Sequence, residues 1–132
     1  VAPGVVATAI AAAAVLDCAG VLVFVIIGRH THHDGDSLAG IWHTAWPFLC
    51  GLAAGLAVVR SWRRPLAIAP AGVGAWLGAA VLGMVIRVLA GQGTAAAFIV
   101  VALAFLALFL LGWRICWRVF RRLATTGTTA GS

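Results

Sequence analysis

Four stretches of this chain are each long and apolar enough to cross a lipid bilayer, and they constrain its fold more than any other feature. Spanning ~30 Å of hydrocarbon takes about 20 helical residues at ~1.5 Å each, with every backbone polar group satisfied inside the segment. The sequence predicts such helices over residues 5–28, 38–59, 66–90 and 95–122. The first run stops at Arg29, before a polar segment rich in His and Asp. The second ends at Arg60, and the stretch through Arg63, Arg64 and Pro65 forces the chain out of helix. A short Gly91-Gln92-Gly93-Thr94 loop separates the third run from the fourth, and the residues from Thr125 onward read as a small polar tail. The fold class that follows is an all-α integral membrane four-helix bundle, with residues 1–132 as a single transmembrane domain.

Composition excludes the competing classes. Charged residues make up 9% of the chain and apolar ones 64%, against a globular norm of about 25% charged, so no water-soluble body of this size could be covered. The net charge of +6 comes from nine arginines set against Asp17, Asp34 and Asp36. In a soluble protein it would suggest nucleic acid. Here the arginines sit at the ends of apolar runs, where lipid headgroups are the expected partners and nucleic acid is not. The first run lacks a basic leading region and is followed by three more, so it reads as a retained helix rather than a secretory signal. Cys18, Cys50 and Cys116 lie within apolar segments without metal-ligand spacing and read as small apolar residues.

Orientation follows from where arginine falls, because cytoplasmic flanks carry the excess. The connection after the second run holds Arg60, Arg63 and Arg64, and the C-terminal flank holds Arg114, Arg118, Arg121 and Arg122; the connection after the first run holds Arg29 alone. Both termini are therefore expected in the cytoplasm, with the His-rich segment outside.

Few residues could carry chemistry. Asp17 stands near the middle of the first helix, where a charged carboxylate costs about 2.5–3.5 kcal/mol, so something must compensate it. It shares a face with Ala13 and Gly20 that points to a bundle interior. It reads either as a proton- or cation-coupled site or as a neutral carboxyl bonded to nearby backbone or Thr. Arg87, near the outer end of the third helix, is expected to extend its stem toward the interface. Pairing with Asp17 is the less favoured reading, since Asp17 lies roughly 16 Å below the outer end of its own helix.

The segment after the first helix carries Arg29, His30, His32, His33, Asp34 and Asp36. Such side chains bind zinc or copper and titrate near neutral pH, but they match no established zinc spacing, and a solvated polar loop is the plainer reading. His43 reads as a buried bonded histidine, an axial haem ligand or part of that loop cluster. Pro47 removes a backbone bond inside the second helix, so a static kink is expected after Trp46. For helix packing, Gly51 and Gly55 on the second helix and Gly74, Gly78 and Gly83 on the third offer close backbone approach.

The segment from Gly28-Arg29-His30-Thr31-His32 through Gly35 to Thr44-Ala45-Trp46-Pro47-Phe48-Leu49 and Gly51 resembles the small four-helix bacterial membrane proteins of domain-of-unknown-function family 3054, common in actinobacteria. The likeness covers roughly Asp17 to Arg118. It implies four spans, an inner-membrane location, and importance for Arg29, His32 and the Trp46-Pro47-Phe48 turn, but no activity. With no nucleotide-binding loop, no nucleophile motif and no cofactor motif, the expected role is a non-catalytic membrane subunit or scaffold, with other membrane subunits or copies of itself as partners. The alternatives are proton-coupled transport of a small solute through Asp17, and metal or haem handling by the outer histidines.

Overall fold

Hydrocarbon does not compete for backbone hydrogen bonds, so apolar runs of this length close those bonds within themselves as helices. The computed structural model of the protein, which describes residues 3–31, 37–93 and 95–130, contains four helices long and apolar enough to cross a membrane and, among the described residues, no strand. Their length and composition suggest a multi-pass membrane protein.

The first helix is Pro3–Thr31. Its interior face, Ala13, Asp17, Gly20, Val21, Phe24 and Val25, recurs at helical spacing and is buried, while Val15, Leu16, Ile26 and Ile27 point outward as lipid-facing residues do. The helix runs beyond residue 28, so Arg29 and His30 form its last turn rather than part of a loop. Basic side chains suit that position, where unpaired carbonyls leave partial negative charge.

The second helix, Leu38–Val58, opens on Ser37, whose hydroxyl accepts the Gly40 N–H at 3.1 Å. The helix continues through Pro47. Beyond it Arg60 adopts a left-handed conformation (φ 52°) and a short turn over Ser61–Arg63 reverses the chain.

The third helix, Ile68–Leu89, is irregular. Ala69 is extended (φ −125°, ψ 136°), so regular winding begins beyond it, and Gly78–Leu82 is wound wider than an α-helix. The fourth helix, Ala96–Ala130, is roughly 50 Å long and continues eight residues past the expected end at Arg122. The Thr125 and Thr126 hydroxyls donate to the carbonyls of Arg121 and Arg122, so these threonines are held within the helix rather than in a loose tail.

Glycine decides which helices touch most closely. A Cβ on Gly51 would collide with the carbonyl oxygen of Gly78, and one on Gly55 with that of Gly74; a Cβ on Gly78 would stand 2.7 Å from the Gly55 Cα. The second and third helices are therefore in backbone contact at two successive turns. Gly83 gives the same room to Phe48, whose ring would lie 2.9 Å from an added Cβ. Pro47 and Phe48 are buried against this seam.

The core is aromatic at one end and small at the centre. Phe24 packs on Phe48, Phe98 and Phe105 with ring centroids 5.4, 5.9 and 5.4 Å away, so Phe98 and Phe105 engage the fourth helix inside the bundle. Ala75, Ala79, Ala80, Ala102, Leu106 and Leu110 fill the space beyond. Trp76 ties the third helix to the fourth, its indole N–H donating to the Leu103 carbonyl at 2.8 Å. Trp76→Phe should remove that bond and cost about 0.5–1.5 kcal/mol, read as an earlier thermal transition in detergent with the helix content unchanged.

Candidate functional site

The compensation that Asp17 requires comes from the fourth helix. Asp17 is 1% exposed and Arg114 is 0% exposed, and the two meet face to face. Arg114 Nη1 donates to Oδ1 at 2.7 Å and Nη2 to Oδ2 at 2.9 Å, the paired fork that a guanidinium makes with a carboxylate. The Trp113 indole N–H donates to the same Oδ1 at 2.9 Å. Arg114 also donates from Nη1 to the Leu110 carbonyl at 2.9 Å and from Nε to the Pro65 carbonyl at 3.1 Å. Its guanidinium carbon stands 4.3 Å from the Trp113 ring centroid. One cluster thus joins the first helix, the fourth helix and the connection between the second and third.

This arrangement departs from the reading of Asp17 as a neutral carboxyl bonded to nearby backbone or Thr. Its partner is neither backbone nor Thr, and the expectation that Arg114 belongs to the basic C-terminal flank does not hold in the structure. Ala102, Leu106, Leu110 and Arg114 recur every four residues on one face of the fourth helix, and all four are buried. Arg114 is the last residue of that face. Gly72 leaves it room, since a Cβ there would lie 2.9 Å from Arg114 Cδ.

Arg87 takes no part in this cluster. It reaches past the end of its own helix, Nη1 donating to Gln92 Oε1 and Nη2 to the Gly93 carbonyl, both at 2.7 Å. Its guanidinium lies over the Phe98 ring at 4.9 Å and near Phe48 at 5.8 Å. Gln92 in turn donates to the His43 carbonyl at 3.2 Å. Arg29 lies along the second helix, Nη1 donating to the Thr44 hydroxyl oxygen at 3.0 Å; a Cβ on Gly40 would collide with its guanidinium.

His43 and His30 are exposed, so the reading of His43 as a buried histidine does not hold. Trp46 is half-buried. His32, His33, Asp34 and Asp36 lie outside the described residues, and among the described ones no three His, Cys, Asp or Glu side chains gather to hold a metal.

The family model "Protein of unknown function (DUF3054)" matches residues 14–117, most of the chain. The chain belongs to this family. The matched stretch contains both Asp17 and Arg114 and stops short of the arginines at 118, 121 and 122. No curated protein and no solved structure matches the chain. For this DUF3054 protein the buried ion pair is the feature that sequence reasoning missed. The available signal was the four-residue repeat from Ala102 to Arg114, together with the need of Asp17 for a cation.

Proposed function

We propose that this DUF3054 protein is a non-catalytic subunit or scaffold of the bacterial inner membrane, crossing it four times with both termini in the cytoplasm. The commitment of Asp17 carries this reading. Both carboxylate oxygens accept from Arg114, Oδ1 accepts again from Trp113, and the pair is sealed from solvent. A coupling carboxylate has to exchange its proton or cation with water on each side of the membrane; this one is used to hold helices together.

The orientation rests on the arginines left at the helix ends. With Arg114 drawn into the bundle, Arg60, Arg63, Arg64, Arg118, Arg121 and Arg122 still mark one end, against Arg29 and Arg87 at the other. At the basic end Arg63, Arg64, Arg118, Arg121 and Arg122 border one open groove, which suits anionic headgroups on the cytoplasmic leaflet as weak partners. Neutralising Arg118, Arg121 and Arg122 together should reduce the preference for anionic over zwitterionic lipid; an unchanged preference would remove the lipid role.

Reconstitution tests the main reading. Vesicles carrying the purified protein and a pH-sensitive dye should collapse an imposed proton gradient no faster than empty vesicles, while purification in mild detergent from the native host should return a stoichiometric membrane partner or a defined homo-oligomer. Proton or cation flux that disappears in Asp17→Asn would overturn the scaffold reading.

A further inference from the structure

A cavity of about 330 Å³ opens at the end of the bundle opposite the basic one, and all four helices or their ends contribute to it. Its polar wall is Arg29, Thr44 and Arg87, and its apolar wall is Phe24, Val25 and Phe98. That volume lies at the small end of the range of ligand sites, about 300–1,000 Å³. Among the described residues no carboxylate faces Arg87, whose bonds go to neutral oxygens of Gln92 and Gly93 and whose charge otherwise rests on the Phe98 and Phe48 rings. Its Nε is buried and, among the described residues, has no hydrogen-bond partner.

We infer that this cavity binds a single phosphate or carboxylate group that carries an apolar substituent. The anion supplies Arg87 with the counter-charge that no carboxylate among the described residues gives it. The Thr44 hydroxyl, which already receives Arg29 and donates to the Gly40 carbonyl at 3.2 Å, holds the Arg29 fork in place beside the cavity. The substituent lies against Phe24, Val25 and Phe98. Two sources offer this chemistry, the headgroup of an anionic phospholipid and a small free organic anion, and the cavity stands at the helix ends where either can reach it. The inference goes beyond the scaffold reading: a scaffold without the site and a binding protein that is no scaffold are both possible results.

The test uses the full chain. In one arm it is placed in nanodiscs of phosphatidylcholine with a small share of phosphatidylglycerol, and retained lipid is counted by native mass spectrometry. In the other it is kept in lipid-free detergent and titrated with inorganic phosphate and with octanoate, following its melting. Saturable binding in the first arm alone assigns the site to a lipid headgroup; binding in the second assigns it to a free anion. In either case Arg87→Gln should weaken binding about tenfold or more, the loss expected when a charged donor is removed. Should Arg87→Gln fold poorly, Ala95→Trp narrows the cavity while leaving every arginine in place, and it should abolish the same binding. Saturable binding in neither arm, or binding that survives both substitutions, would overturn the inference.

Discussion

Asp17→Asn should destabilise the bundle by about 3–5 kcal/mol, because it leaves the Arg114 guanidinium buried without a counter-charge. Asn keeps the volume of Asp and can still accept from Trp113, so neither a cavity nor a lost indole bond explains the effect. What remains is a cation 0% exposed within the helices, in a place where even insertion scales charge about 2.5–3.5 kcal/mol for an unpaired ion. Arg114→Leu should cost a similar amount by the opposite route, stranding the carboxylate and freeing the carbonyls of Pro65 and Leu110. Thermal unfolding in detergent, followed through the six tryptophans, reads both. Because Trp113 lies in the cluster, its emission should change in each variant before the main transition.

The second large effect concerns the seam between the second and third helices. Gly55→Val adds side-chain atoms where the Gly74 carbonyl already stands, with Gly78 Cα only 2.8 Å from the position of the new Cβ. Neither neighbour is a flexible side chain that could turn aside. The helices must separate over at least a turn, so the cost should reach or exceed the about 1–3 kcal/mol usual for overpacking. Gly112 offers the contrast: nothing lies within 4 Å of a Cβ placed there, and it sits mid-helix. Gly112→Ala should be neutral or raise stability by up to about 1 kcal/mol through helix propensity. Melting the two variants side by side separates a specific seam from a general tolerance of small residues; equal transitions would deny the seam.

Much of this architecture is legible in the amino-acid sequence, for a reason specific to lipid. Hydropathy and the length of an apolar run are enough to locate spans, since no other closed backbone solution is open to a lone apolar segment. The second and third helices accordingly fall close to their expected bounds. The glycine seam was also visible as spacing, although spacing alone could not pair Gly51 with Gly78 or Gly55 with Gly74. Helix ends were less legible. Arg29 and His30 read as loop because charge marks the edge of an apolar run, yet charged residues are favoured in a last helical turn.

The polar cluster was half legible. Asp17 stood out because one acidic residue in an apolar helix demands a partner, but Arg114 blended into the run Arg114, Arg118, Arg121 and Arg122, all of which look like one flank. The four-residue step that leads to Arg114 continues to Arg118 and Arg122, so that signal alone does not separate them, and the fold does. Arg114 continues the face of Leu106 and Leu110 into the bundle, and the other three are exposed. The grouping of Arg29, Thr44 and Arg87 around one cavity was beyond sequence reasoning, since it joins three helices whose mutual rotation no local pattern records.

A double-substitution cycle at the ion pair tests most directly that Asp17 and Arg114 serve one another. Stability would be measured for Asp17→Leu, Arg114→Met and the two combined. If the pair is an internal staple, each single change is costly and the combination recovers most of the loss, because both buried charges leave together. If the two losses simply add, the residues act independently, and the assignment of Asp17 to structure rather than to transport is wrong.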